Sequence, residues 1–488
     1  MIQIKNLFSH NLLLHDLEGN NIDPALIKII YNSIKSNIIK NTKQKELVGI
    51  LLKPDHRYLL SILACMELGR VFVPLRWDWP QQRLLQIKNI INLNHMIDEK
   101  TFDNLELNNL IEIEDQLLNL KPSDNLYIIF TSGSSGKPKG VIISRKAFEH
   151  FLLWVDNELQ IPRSNKMLFV ADFSFDMSLL DVALFICKKC EVYFSKFTDN
   201  VFRLAYEIDK YRINSIATVP NTIDRLLYPE VLERTDISSL HYLLLGGARF
   251  NAPTLKKLKT ISNLKRLYNF YGPTEATVYM TAHRINFENN IDIHDSNVSI
   301  GKPFFGMSCE LYSDNNKRIF SPYETGELLI SGPQLMEGYI GDDLQTKKVL
   351  ISKDNRIFYK TGDLSFFDNN NNYYIVGRKD ETIKRKGYRI NILDIEAYIR
   401  AIDGIEDCQV INILDDMFEN KIYAFIILND FAKNKKMNLK LIHKLISDVL
   451  VDYQIPDKII QIDKFPTNNS GKIAREVLKK MISETNDF

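Results

Sequence analysis

Two short apolar runs, LYIIF (126–130) and GVIIS (140–144), stand on either side of the loop TSGSSGKPKG (131–140), and this arrangement constrains the fold more than any other stretch. Each run has the length and content of one buried strand. The segment that follows, RKAFEHFLLWV, places Phe148, Phe151, Leu152 and Val155 on one helical face behind Ser144, a candidate cap. Strand, loop, strand and helix in this order define an α/β sheet, and such sheets bind ligands at the loops that leave their strand ends. Small residues let backbone N–H groups turn toward one point, and Lys137 and Lys139 add positive charge, so a polyphosphate is a natural guest. An ordinary surface turn would use many of the same residues. A P-loop is excluded, because Gly136-Lys137 is followed by Pro138 instead of Ser or Thr, and a strand, not a helix, comes next.

NSIATVP and LHYLLLGG read as further buried strands, each stopped by Pro or Gly. From about residue 300 the pattern changes to short strands with turns, GELLISG and NNNNYYIVG, which suggests a smaller β-rich part with a hairpin at the asparagines 369–372. After GRKD (377–380) a helix, the strand KIYAFIIL and the helix NLKLIHKLISDVL form a compact α+β tail. The expected division is a body of residues 1–379 and a second domain of 380–488. A chain of 488 residues with 45% hydrophobic content can bury cores of that size. Lys plus Arg total 62 against 61 Asp plus Glu, so no global field favours nucleic acid or an anionic membrane, and any bound anion must be held locally. The N-terminus lacks the continuous apolar core of a secretory signal, and YLLSILACMELG (58–69) is too short to span a bilayer; a cytoplasmic location is expected. Cys65, Cys187, Cys190, Cys309 and Cys408 are too scattered for a disulfide framework. CKKC (187–190) has the spacing of a redox pair or half a zinc site, with no second pair nearby to complete a metal shell.

Four more motifs follow the glycine-serine loop in order: NFYGPTEATVY (269–279), YKTGD (359–363), GRKDETIKRKGYRI (377–390) and NNSGKIAR (468–475). With TSGSSGKPKG they resemble the signature series of the adenylate-forming superfamily, which includes amino acid adenylation domains of nonribosomal peptide synthetases, ligases that load D-alanine onto a carrier protein, acyl-CoA synthetases and luciferases. The resemblance runs from about residue 50 to 475. It implies an α/β fold: a large body of two α/β layers plus a distorted β-barrel, and a small mobile α+β C-terminal cap. It also implies ATP and Mg²⁺ as cofactors. Thr131, Ser132, Ser134, Ser135 and Lys139 would cradle the pyrophosphate. Thr274 would touch the phosphate and Glu275 would hold Mg²⁺, a carboxylate being what a hard cation wants. By the same resemblance Tyr271 stacks on adenine with Asn269 at its edge, Asp363 accepts both ribose hydroxyls, and Arg378 contacts ribose or phosphate. Lys472 would reach the cleft and stabilise the adenylation transition state. Asp380 matches the hinge about which the cap rotates, and Gly387 would then lie near the tunnel for the attacking thiol. Asn391 departs from the pattern, standing where a Glu is usual, and Asn is a good helix cap.

FSFDMSLLDVA (173–183) bears on the substrate. Amino acid-activating members have an FDxS element whose Asp pairs with the α-ammonium, and Asp176 occupies that position; the reading left beside it is a capped structural Asp. The implied pocket comprises Met177, Leu180, Leu244, Gly246, Phe270, Val278 and Tyr279, an apolar set that suggests a small or uncharged side chain. FDMSLLD looks especially like the D-alanine ligases, although those have a Cys where Gly246 falls. No phosphopantetheine-attachment site follows the tail, so the acceptor is expected to be a separate phosphopantetheinylated carrier protein, and the protein itself a monomer. The alternative is an acyl- or aryl-CoA ligase in which Asp176 is structural.

Overall fold

A computed structural model describes the chain except residues 1–3, 8–11, 106–119, 132–137, 164, 197–199, 251, 260, 262, 288–292, 295–296, 380–381, 416–418, 430–431, 433–436, 467–472, 474 and 485–488. The chain forms two compact units. One comprises Met1–Asp78, Ile87–Phe130 and Gly140–Lys379; the other comprises Trp79–Gln86, Thr131–Lys139 and Asp380–Phe488.

The first unit holds two large sheets. In one, β1 (Leu47–Leu51) lies parallel to β2 (Val71–Pro74) and to β3 (His95–Asp98), while β2 is parallel to β4 (Asn125–Thr131). Next to β4 comes β5 (Lys139–Ser144), and Gly338–Tyr339 closes that side as an antiparallel edge. The two expected strands around the glycine-serine loop are therefore β4 and β5. The helix Arg145–Asn157 follows, and Phe148, Phe151, Leu152 and Val155 are all buried. Each such side chain contributes on the order of 1.5–3 kcal/mol by leaving water. Ser144 takes the N-cap position, but its side chain makes no capping hydrogen bond.

The second sheet carries the site. Its strands β6 (Lys166–Phe169), β7 (Glu191–Phe194), β8 (Ser215–Thr218), β9 (Tyr242–Leu245) and β10 (Arg266–Tyr271) are parallel in the order β10-β9-β8-β6-β7. β11 (Thr281–Ile285) runs antiparallel beside β10. NSIATVP and LHYLLLGG supply β8 and β9, fully buried as their continuous apolar content requires. From β6 the chain moves outward to β7, then crosses back to β8 on the other side. That reversal is the topological switch point, where neighbouring connections diverge and leave a crevice at the carboxyl ends of the strands.

A third, antiparallel sheet is built from Arg318–Ile319, Ser308–Tyr312, Gly326–Ser331, Arg356–Phe367 and Leu350–Lys353 in that spatial order, with Tyr373–Arg378 paired to Arg356–Phe367. The asparagine run turns between the last two strands, as its composition suggests.

In the second unit a hairpin, Thr382–Arg385 with Tyr388–Asn391, leads into the helix Ile392–Arg400. The helix thus starts directly after Asn391. A three-stranded sheet follows, Ile405–Leu414, Asn420–Leu428 and Lys458–Gln461. Its packed side chains include Ile411, Phe425, Phe465, Leu478 and Ile482. The strand Ile405–Leu414 escapes a reading by periodicity because Asp407, Gln409 and Asn412 interrupt its apolar residues, which read as a continuous run only in the partner strand KIYAFIIL. Among the described residues no helix is long and apolar enough to cross a membrane.

Candidate functional site

At the carboxyl edge of the second sheet, parallel register aligns the ends of three strands. Thr218 pairs with Leu245, Leu245 pairs with Asn269, and the Gly246 amide donates to the Thr218 carbonyl at 3.2 Å. The segment leaving β6 turns back through Asp172 to Ser178, where the helix Ser178–Lys188 begins. Asp172 fixes this turn by accepting from the Ser174 amide at 2.8 Å and the Ser174 hydroxyl at 2.5 Å. Asp176 lies just ahead of the helix and is 5% exposed. Its charge is felt by two buried phenols, Tyr127 and Tyr279, whose pKa values burial raises first and Asp176 raises further.

The loop between β10 and β11 completes this edge. Its backbone takes left-handed φ at two successive β-branched residues, Thr277 (57°) and Val278 (68°), a conformation such side chains resist. Gln334, fully buried, holds it there: its amide nitrogen donates to the carbonyls of Ala276 (3.3 Å), Thr277 (3.3 Å) and Tyr279 (2.8 Å). The Thr277 hydroxyl donates back to the Gln334 carbonyl at 2.7 Å, and His150 Nδ1 meets Gln334 Oε1 at 3.0 Å. Gly272 is needed beneath this loop, since a Cβ there would meet the Val278 carbonyl oxygen at 2.5 Å. The clamp turns Tyr279 inward. Its ring stacks on Phe270 at 5.0 Å, and its hydroxyl sits against Gly246, where a Cβ would meet it at 2.5 Å. Gly246 and Tyr279 are thus complementary: the ring occupies the space a side chain at 246 would need. Met177, Leu180, Leu244, Phe270, Val278 and Tyr279 are all buried.

On the neighbouring side the polar groups are joined. The Tyr271 hydroxyl donates to Asp363 Oδ2 at 2.5 Å, and Arg378 Nη1 donates to Asp363 Oδ1 at 2.5 Å. Arg378 Nη2 also donates to the Thr361 carbonyl at 3.2 Å, and the Thr361 hydroxyl caps the Asp363 amide at 3.0 Å. Each carboxylate oxygen of Asp363 has a second lone pair beyond the one engaged. Tyr271 is fully buried, and its phenol is pushed well above its ordinary pKa by burial and then by Asp363. Asn269 donates to the Ser299 carbonyl at 2.8 Å. Glu275, 3% exposed, accepts from the Tyr339 hydroxyl at 2.7 Å, and Thr274 opens the short 3₁₀ turn that carries it.

The sequence candidates Tyr271, Asp363 and Arg378 therefore converge, as do Gly246, Phe270 and Tyr279. Thr131 ends β4 and Lys139 opens β5. Gly387 is the second residue of the two-residue turn in the hairpin that opens the tail of the second unit. Ser132, Ser134, Ser135, Asp380 and Lys472 lie outside the described residues. Sequence reasoning passes over Gln334, Tyr339, Thr218 and Asp181. The first three gain their place only through long-range packing. Asp181 had a local signal, since it follows Met177 at i+4 and so shares its helix face. The Cys187 and Cys190 thiols are free and pushed up to about 12 by burial, and the described residues contain no cluster of three or more potential metal ligands. A surface depression of about 240 Å³ lined by Leu51, Lys53, Trp77, Asp98, Glu99 and Lys100 contains none of the candidates.

Comparison with known proteins agrees with this architecture. A family model described as AMP-binding enzyme matches residues 37–340. The D-alanine–D-alanyl carrier protein ligase of Listeria welshimeri is 27% identical over 502 residues, covering 96% of each chain. Zwittermicin A synthase ZmaJ of Bacillus cereus is 30% identical over 468 residues, covering 90% of this chain and 86% of that one. Among solved structures, the Vibrio cholerae adenylation domain AlmE, in complex with glycyl-adenosine-5′-phosphate, matches with a TM-score of 0.84 at 17% identity, covering 99% of this chain and 98% of that chain. The family match over residues 37–340 places the chain among AMP-forming ligases. The chain belongs to the AMP-binding enzyme family of the adenylate-forming superfamily.

Proposed function

We propose that this protein joins an amino acid to AMP, with release of pyrophosphate from ATP, and passes the aminoacyl group to the phosphopantetheine thiol of a separate carrier protein. The observation that carries the reading is Asp176, buried at the switch point beside the pocket of Gly246, Phe270 and Tyr279. By the resemblance of FSFDMSLLDVA to the FDxS element, Asp176 is assigned to the α-ammonium of an amino acid. The carrier-protein ligase that aligns along nearly the full chain supports the same choice.

In the first step a substrate carboxylate oxygen attacks the α-phosphorus, the bond to the bridging oxygen breaks, and pyrophosphate leaves. The donor set suits the nucleotide. Asp363, held rigid by Tyr271 and Arg378, has lone pairs for the ribose hydroxyls, and Arg378 brings positive charge to the same point. Asn269 and the Tyr271 ring are assigned to the adenine, and Thr131, Ser132, Ser134, Ser135, Lys139 and Thr274 to the phosphates. Glu275 is a hard carboxylate oriented by Tyr339, and it would hold Mg²⁺, which neutralises phosphate charge when bound. Lys472 is assigned to the charge that develops at the α-phosphate. In the second step the thiol attacks the acyl carbon and AMP departs. Asp380 is the proposed pivot of the 380–488 cap, and Gly387 the residue beside the thiol's path.

The test is amino acid-dependent exchange of labelled pyrophosphate into ATP, screened over L- and D-amino acids and simple carboxylic acids. Amino acids are expected to support exchange, and Asp176→Ala to abolish their advantage over acids without an amino group. Exchange with fatty or aryl acids alone, unchanged by Asp176→Ala, would instead favour a CoA ligase.

A further inference from the structure

The helix face that presents Met177 and Leu180 also presents Asp181, because residues at i, i+3 and i+4 share one side of a helix. Asp181 is fully buried, and among the described residues neither of its carboxylate oxygens has a hydrogen-bond partner. Burial alone raises its pKa well above the carboxylate range, with no cation of the protein opposing it. The Tyr279 hydroxyl is likewise buried without a partner among the described residues, and both Asp176 and Asp181 act on it electrostatically. A native core leaves few polar groups unmatched, and three unmatched atoms on two side chains in one region mark a place where a ligand supplies what the chain does not. The phenol at 279 already fills the room beside Gly246, and it is locked by stacking on Phe270, which in turn stacks on Tyr268 at 5.6 Å.

We infer that the amino acid taken here carries a short side chain ending in a hydrogen-bond donor, a hydroxyl or an ammonium, which Asp181 and the Tyr279 hydroxyl receive. This rests on the reading of the site as amino acid-activating, and it goes past the lining of Met177, Leu180, Leu244 and Val278, which by itself would suit alanine. Asp176 keeps the α-ammonium, so the second carboxylate is left for the side chain. A hydroxyl donates a hydrogen bond to Asp181 and accepts one from Tyr279; an ammonium donates to Asp181 and to the Tyr279 oxygen. A site built to satisfy a donor rejects the isostere that lacks it far more strongly than an apolar pocket rejects an extra methylene, because the loss leaves buried groups unpaired.

Pyrophosphate exchange is measured with serine, 2,3-diaminopropionate, alanine, 2-aminobutyrate and lysine, each as both stereoisomers, for the parent protein, Asp181→Asn and Tyr279→Phe. The expected result is a kcat/KM for serine or diaminopropionate about 100-fold or more above that for 2-aminobutyrate. Tyr279→Phe, close to isosteric, is expected to cut that ratio by about tenfold or more while KM for ATP moves little. Asp181→Asn separates the two donors: it removes an ammonium preference and leaves part of a hydroxyl preference. Parity of 2-aminobutyrate or alanine with the donors, a preference for lysine, or a ratio unmoved in both variants overturns the inference while the amino acid reading stands. Exchange confined to acids without an amino group overturns that reading first, and this inference with it.

Discussion

Two regions of the second sheet's carboxyl edge treat their buried polar groups in opposite ways. Around Asp363 each carboxylate oxygen has a donor from the protein, and one donor, Arg378, is itself anchored on the Thr361 carbonyl. Around Asp181 and Tyr279 the hydroxyl and both carboxylate oxygens lack partners among the described residues. The first region is finished before any ligand arrives; the second is left incomplete. A group common to every turnover rewards a rigid, satisfied receptor. A group that must be discriminated is read better by atoms that only the correct partner satisfies.

The largest expected effect comes from breaking the finished side. Asp363→Ala strips Arg378 of its counter-charge and Tyr271 of its acceptor in a nearly buried setting, and should cost about 3 kcal/mol in urea unfolding and at least about 100-fold in exchange. If both regions were equally unfinished, this variant would behave like a surface mutation. Gln334→Leu comes next. It removes the amide nitrogen that three carbonyls of the Ala276–Tyr279 turn share and strands His150, so a loss of about 1–3 kcal/mol is expected, with KM for the amino acid rising more than KM for ATP. An equal rise in both constants would remove the distinction between the regions.

Gly246→Ala sharpens the comparison on the open side alone. The added methyl collides with the Tyr279 ring, so about 1–3 kcal/mol is lost, and Tyr279→Leu in the same chain should recover most of it; double-mutant stability measurements supply the check. The smallest effect is a pH dependence. Asp181 has a folded-state pKa above its unfolded one, so its contribution is full below the unfolded value and is lost as pH rises through the folded value. Asp181→Asn lacks that loss. Its melting temperature relative to the parent should therefore climb between pH 5 and pH 8 without substrate, and a flat difference would mean that Asp181 already has a partner.

Much of the fold was legible in local pattern. β4, β5, β8 and β9 are continuous apolar runs cut by Gly, Pro or Ser, and the Arg145–Asn157 helix shows its buried stripe directly. The cluster of Tyr271, Asp363 and Arg378 was approached through short motifs, because YGPTE, KTGD and GRKD each keep their candidate residues within a few positions. What stayed hidden depends on distance along the chain. Gln334 reaches a turn some fifty residues earlier, and Tyr339 reaches Glu275 from a separate edge strand. No periodicity records such meetings. Asp181 was hidden for another reason: an acidic residue on a helix ordinarily reads as its solvated face, a reading that outweighs its i+4 spacing from Met177 until burial is seen. The Gly246 position, a departure from the D-alanine ligases in sequence, acquires a physical reason once Tyr279 is seen to occupy its space.

The most direct test compares the affinities of two acyl-sulfamoyl-adenosines that differ only in an α-amino group, measured by calorimetry on the parent protein and on Asp176→Asn. The account predicts that the amino form binds the parent about 10- to 100-fold more tightly, the worth of a hydrogen-bonded charge, and that Asp176→Asn erases the gap. Equal affinities in the parent would contradict it.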